Sequence, residues 1–495
     1  MKRWLLLLCL LAAGKGYAQE SFDEYRSRLR KEFTGFKDSI HQDYNQFRKQ
    51  INEDYSKMLN EIWKEKRPEK AIPQPEEQPL PPQTVPEQET DRPIKNQQLP
   101  IETVIPPVLP QPQPQPIAPI KPIQVPTHAS FSFTFMGTAM QVRLDKATSP
   151  AKLERAVSKG IPSFWSDVSG GELDILLSDC LGLREQYALC DWAYLSMLRM
   201  LSTAYFGGHT DGALMLTAWL YCQSGYQMRL ASQKDGKLVL LYASQHTIYE
   251  RPYWELDGTN YYALDFEGSQ LFISPARFPE EKPLSLFIDH PQHFAVSQSA
   301  ARTLKSARYP EMEFQVTVNQ NAIAFYDTYP TSALHGDEGT RWAMYANTPV
   351  DELTAQTLYP ALQAVLSGKS TAQAVEYLLN FVQTALEYEY DDKVWGHDRA
   401  FFAEESLYYP YCDCEDRSIL FSRLVRDLLH LDVVLIYYPN HLATAVHHPE
   451  QVKGDYVLVN GKAYTVCDPT YIGARVGETM PGMDNTTCKV IQLRH

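Results

Sequence analysis

Residues 408–428, YYPYCDCEDRSILFSRLVRDL, set two cysteines one residue apart at the mouth of an amphipathic helix. Asp413 is a natural N-cap, Asp416 three residues later can close a capping box, and Leu420, Leu424 and Leu428 share one face. Cys414 then falls in the first turn. There the unpaired amides and the positive end of the helix dipole favour a thiolate, partly against the charges of Glu415 and Asp416. Downstream, VVLIYYP (433–439), HLATAVHH (441–448), GDYVLVNG (454–461) and KAYTVCD (462–468) alternate as half-buried antiparallel strands joined by glycine turns. A helix followed by an antiparallel meander predicts an α+β unit.

That unit orders three chemically useful residues: Cys414 at a helix start, His441 opening a strand, and Asp468 ending a later strand. A thiolate can attack an amide carbonyl, an imidazole can shuttle the proton, and a carboxylate can orient the imidazole. With AEESLYYPYCDCEDRSILFSRLVRDL, HLATAV and YTVCDPT in this order, residues 370–473 resemble the transglutaminase-like superfamily of papain-type cysteine enzymes. The resemblance implies a papain-like catalytic domain needing no cofactor and no metal. It implies Cys414 as nucleophile, because such enzymes carry an acid two residues beyond it, here Asp416. Cys412 stands where relatives would carry glycine, and its role stays open between packing, disulfide formation and protection of Cys414. Peptidases, amidases and protein cross-linking enzymes all share these motifs, so reaction class is implied more firmly than substrate.

A second copy is expected upstream. PYWELDGTNYYALDFE from Pro252 matches DYVLVNGKAYTVCDPT from Asp455 at a tyrosine, a glycine, a second tyrosine and an aspartate: Tyr253, Gly258, Tyr261 and Asp265 against Tyr456, Gly461, Tyr464 and Asp468. The preceding helices align His209 with Cys414, and the strands align Lys237 with His441. Residues 129–300 are therefore read as a degenerate copy lacking the triad, and residues 301–495 as the catalytic domain. The aromatic group Tyr249, Tyr253, Trp254, Tyr261 and Tyr262 is either a packed core or a binding groove.

The chain begins with two cations, an apolar run from Trp4 to Ala13 too short to span a bilayer, and Gly-Tyr-Ala before Gln19, which reads as a signal peptide over 1–18. A periplasmic or secreted location follows, with no transmembrane segment. Residues 22–65 repeat every eleven positions, and the apolar 3-4-4 spacing predicts a helix with one straight aromatic stripe. The stripe over 19–66 is expected to bury itself in a second copy of the chain, with a membrane surface or its own domain as the other choices. Residues 67–128 are rich in proline, which removes amide donors, and read as an extended tether. A net charge of −14 argues against a nucleic-acid partner. Seven cysteines remain beyond the signal peptide, an odd number that leaves at least one unpaired thiol in an oxidising compartment.

A zinc site drawn from Cys412, Cys414, His441, His447, His448 and Cys467 has poor ligand spacing, and His447 and His448 are expected to be solvated. The expected function is a cysteine acyl-transfer enzyme acting on peptide or isopeptide amides of the cell envelope, with a peptide or protein substrate such as cell-wall peptide. Hydrolysis is favoured over cross-linking. The alternative is a non-catalytic envelope scaffold that uses both domains to bind peptide.

Overall fold

The helix Cys414–Leu429 starts where the sequence indicates: Asp413 accepts the Glu415 amide at 3.0 Å, and the Asp413 and Asp416 side chains close the reciprocal capping box. It ends at His430, which takes a left-handed conformation (φ 54°). In this computed structural model, residues 46–75, 79–85, 97–99, 103–105, 114, 128–145, 149–169, 173–266, 268, 270–483 and 488–494 are described. The signal peptide read over 1–18 and the rod up to residue 45 lie outside them. The described residues form a mixed α+β structure, and no helix among them is long and apolar enough to cross a membrane.

The helix lies on one face of a seven-stranded sheet. Its central order is Lys489–Gln492, Val433–Tyr438, His441–Val446, Lys462–Cys467 and Asp455–Val459, all antiparallel neighbours. Alternation decides the two faces: Val433 and Leu435 join the core under the helix, while Val434, Ile436 and Tyr438 pack into a separate cluster on the far side.

The first unit repeats this plan. The helix Asp211–Gln223 precedes a sheet whose order is Leu271–Ile273, Met228–Ser232, Leu238–Ser244, Thr259–Ala263 and Tyr253–Leu256. Numbered by succession after the helix, both sheets run fifth, first, second, fourth, third, which supports the duplication. The aromatic group of the first unit is mostly packed core, with Trp254, Tyr261 and Tyr262 buried. The two units are not separated at residue 300, because Ser332–Leu334 pairs with His246–Ile248 across that point and one buried core continues through both.

Two N-terminal expectations are corrected. The described end of the rod is a helix over 46–59 that packs on the chain's own first unit, the last of the three choices above. The buried face is also rotated from the aromatic stripe: Arg48, Asn52, Tyr55 and Leu59 are buried, whereas Phe47 is 53% and Ile62 88% exposed. Polar pairing explains the rotation. Asn52 accepts from Trp165 Nε1 at 2.9 Å and from Gln223 Nε2 at 2.9 Å, and Arg48 reaches Gln223 at 3.1 Å and Asp174 at 2.7 Å. Helix gives way to strand at Lys64–Lys66, which completes the open edge at Leu271–Ile273.

The proline-rich stretch is likewise no free tether over its described parts. Gln83–Thr84 pairs in parallel with Tyr471–Ile472, Gln97–Leu99 with Asp455–Val457, and Thr103–Ile105 with Lys489–Ile491. Each is a short window between prolines in which backbone donors survive, so strand addition needs no core of its own.

Candidate active site

His441 opens its strand and Asp468 lies one residue past the strand Lys462–Cys467, which pairs with it. The structure joins them directly: His441 Nε2 and Asp468 Oδ2 are 2.9 Å apart. The other Asp468 oxygen accepts from the amides of Thr470 at 2.9 Å and Tyr471 at 3.2 Å, so the carboxylate is held from both ends. His441 Nδ1 is buried and has no hydrogen-bond partner among the described residues. With Nε2 given to the carboxylate, Nδ1 is the nitrogen left for proton transfer.

Cys414 is the first residue of its helix. One turn further, Ser418 Oγ donates to the carbonyl of Leu442 at 2.8 Å, stapling that turn to the His441 end of the strand. Cys414, His441 and Asp468 are 2%, 0% and 1% exposed.

The first unit shows where these three positions go in this fold. By helix start and ladder register, the counterpart of Cys414 is Asp211, that of His441 is Lys237, and that of Asp468 is Asp265. The sequence alignment holds at Lys237 and Asp265 and is displaced by two residues only at the helix start, where Asp211 rather than His209 matches Cys414. Asp211 Oδ1 accepts the Leu238 amide at 3.3 Å, so a side chain at the helix start reaches the first residue of the second strand. Asp211, Lys237 and Asp265 line one cavity of about 310 Å³. Asp265 pairs at the surface with Arg199 at 2.5 Å, where Asp468 holds His441.

Several contributors carry no sequence signal of their own. Glu387–Tyr388 pairs in parallel with Tyr411–Cys412, and Cys412 Sγ approaches the Glu387 carbonyl at 3.7 Å. Cys412 is therefore a buried packing thiol, and burial pushes its pKa up. Arg417 fixes the same strand, donating to the carbonyls of Gln383 at 3.2 Å and Leu386 at 2.7 Å, and its guanidinium lies 5.3 Å from the centre of the Tyr388 ring. Burial, and next the charge of Cys414, push the Tyr388 phenol up, so it stays protonated and able to donate.

Behind the helix start lies a buried acidic cluster. Glu415 takes Trp342 Nε1 at 2.7 Å and Arg341 at 3.2 Å, and Arg341 also holds Asp398 at 2.6 Å. Asp391 accepts the Arg399 amide at 2.6 Å, and burial followed by the Glu415 charge push it up to about 8. Asp413 and Asp416 are raised as well, by burial first and then by neighbouring carboxylates. These carboxylates are already engaged by amides, an indole and a guanidinium, at the positive end of a helix, which does not favour a cation there. Groups of His, Cys, Asp and Glu close enough to share an ion are, among the described residues, all carboxylate.

The seven cysteines from Cys180 onward are buried thiols without disulfides. His447 bonds the Ala463 carbonyl at 2.8 Å, and His448 is buried rather than solvated. No family model matches the chain, and neither does any curated protein or solved structure.

Proposed function

We propose that the chain is a transglutaminase-like cysteine acyl-transfer enzyme that cleaves peptide or isopeptide amides of the cell envelope. Cys414 attacks the carbonyl carbon, and the oxyanion that forms is met by the Tyr388 hydroxyl and the Cys414 amide. His441 Nδ1 carries the thiol proton to the departing amine, leaving a thioester. Water then attacks the thioester with His441 as base, releasing the acid and restoring the thiol. Asp468 holds Nε2 and stabilises the imidazolium. The envelope location rests on the N-terminal sequence.

The observation that carries this reading is the buried His441–Asp468 pair, whose second imidazole nitrogen is unpartnered at the strand end to which the Cys414 helix is stapled. The first unit keeps an aspartate at the position of Asp468 but has Asp211 and Lys237 at the positions of Cys414 and His441, and serves binding. Its cavity offers Lys237, Arg199 and His209 over an apolar floor of Leu214, Leu238 and Leu240. Iodoacetamide labelling at neutral pH, mapped by peptide mass, tests the assignment. Cys414 is expected to react first among the cysteines, with that preference lost in His441→Ala. Equal reactivity in both proteins supports a peptide-binding scaffold instead.

A further inference from the structure

The segment Pro79–Val85 crosses the three candidate catalytic positions in turn. The Leu80 amide donates to the carbonyl of Asn440, the residue before His441, at 3.0 Å. The Leu80 carbonyl accepts from the Tyr388 hydroxyl at 3.3 Å, the same donor placed beside Cys414. Gln83–Thr84 then adds in parallel to Tyr471–Ile472, whose Tyr471 amide is tied to Asp468, and the Val85 amide reaches the Ile472 carbonyl at 2.9 Å. Val85 is buried with Tyr471, Ala474 and Met480, and Leu80 packs against the same cluster.

We propose that Leu80–Val85 is a built-in occupant of the substrate cleft, which takes an extended peptide by strand addition to Tyr471–Ile472, and that it holds the intact chain latent. The inference rests on the reading of Cys414 as nucleophile and adds how substrate lies and what keeps it out. Four of the contacts use main-chain groups of the strap, so the cleft reads an extended backbone, and it selects side chains at the apolar seat filled by Val85 and Leu80 and at the Pro481 carbonyl, to which the Gln83 side chain donates at 3.0 Å. The Leu80 carbonyl sits where a substrate carbonyl would meet Tyr388. The amide that follows it leads into Pro81, whose crowded ring nitrogen makes a poor fit to a site built for a secondary amide. Because the strap is covalently attached, its local concentration is high and weak contacts suffice to keep it seated.

The test compares the full chain with Leu80→Pro, which deletes the donor to Asn440 in a segment already suited to proline, and with Val85→Asp, which expels the apolar anchor. The second-order rate of Cys414 alkylation by iodoacetamide is read alongside deuterium exchange at the Val85 amide. Both variants are expected to alkylate at least tenfold faster than the wild type, with faster exchange at residue 85. A synthetic peptide spanning residues 78–87, added to either variant, is expected to slow the reaction again. Fast alkylation of Cys414 at one common rate in all three proteins overturns the strap and leaves the nucleophile standing. If Cys414 stays inert in both variants although exchange at residue 85 has accelerated, the nucleophile assignment fails, and latency fails with it.

Discussion

Replacing Asp468 by Asn separates the catalytic from the structural work of that carboxylate. Asparagine keeps the volume and keeps an oxygen for the amides of Thr470 and Tyr471, now accepted at 2.9 and 3.2 Å. Its NH2 then faces His441 Nε2, 2.9 Å away in the native pair, and converts that nitrogen from donor to acceptor. The proton is forced to Nδ1, the wrong nitrogen for receiving one from Cys414, and the imidazolium loses its counter-charge. A charge-assisted bond of this kind contributes about 3 kcal/mol, which corresponds to roughly a hundredfold in thiolate population. The assay is the pH dependence of iodoacetamide alkylation of Cys414 in the Leu80→Pro background. Asp468→Asn should lower the rate at pH 6 about a hundredfold, with the urea midpoint close to that of the parent. Asp468→Ala should also unfold more readily, by about 2 to 5 kcal/mol, because it strands two buried amides and an imidazole. An Asn variant that alkylates at the parental rate at pH 6 refutes the assignment of Asp468 to His441.

Cys412→Ala should leave the alkylation of Cys414 within a factor of about three of the parent, since Cys412 packs against Glu387 and touches no reacting group; mass mapping reads this directly. Burial pushes Asp391 and Glu404 up to about 8 and Glu405 to about 7, from 3.8, 4.5 and 4.5. The folded chain then retains protons that the unfolded chain has released, so each group subtracts stability as pH rises from about 4 toward 7 or 8, at up to about 1.4 kcal/mol per pH unit. Asp391→Asn should therefore gain stability over the parent progressively between pH 5 and 8, by urea unfolding, and a difference that stays constant across that range contradicts the buried neutral acid. Tyr55 packs 4.6 Å from Trp165 and 4.3 Å from Phe278, ring centre to ring centre, with its hydroxyl buried and unpartnered among the described residues. Tyr55→Ala should cost about 3 to 5 kcal/mol, whereas Tyr55→Phe should be neutral or stabilising by about 1 kcal/mol, as read from thermal unfolding.

What the sequence disclosed follows from how local each signal is. The cap at Asp413 and Asp416, the alternating strands and the glycine turns are decided within a few residues, and they place the Cys414 helix and its meander correctly. The duplication is legible because the later hairpin is nearly the same in both copies. The equivalence at the helix start is not legible. The turn between the first two strands holds two residues, 439–440, in one copy and five, 233–237, in the other, so counting gaps back from the later hairpin finds Lys237 opposite His441 but misplaces the partner of Cys414. The rod's aromatic repeat conceals a polar docking face, because the pairing of Asn52 with Trp165 and Gln223 depends on residues more than a hundred positions away. The strap is hidden for a different reason. Proline content reports truly that no core forms there, but strand addition by Gln83–Val85 needs only three consecutive residues with free amides and an edge to accept them.

Trapping the acyl group on the enzyme is the most direct experiment on the chemistry assigned to Cys414. The Leu80→Pro chain is mixed with p-nitrophenyl acetate, quenched in acid within the first turnover, and its intact mass and peptide map are recorded. One acetyl group should be found as a thioester on Cys414, formed with a burst of nitrophenol, and it should be missing in Cys414→Ala and His441→Ala. An unmodified Cys414, or an acetyl group whose amount is unchanged in those two variants, would show that the helix start and its buried histidine are not a nucleophilic site.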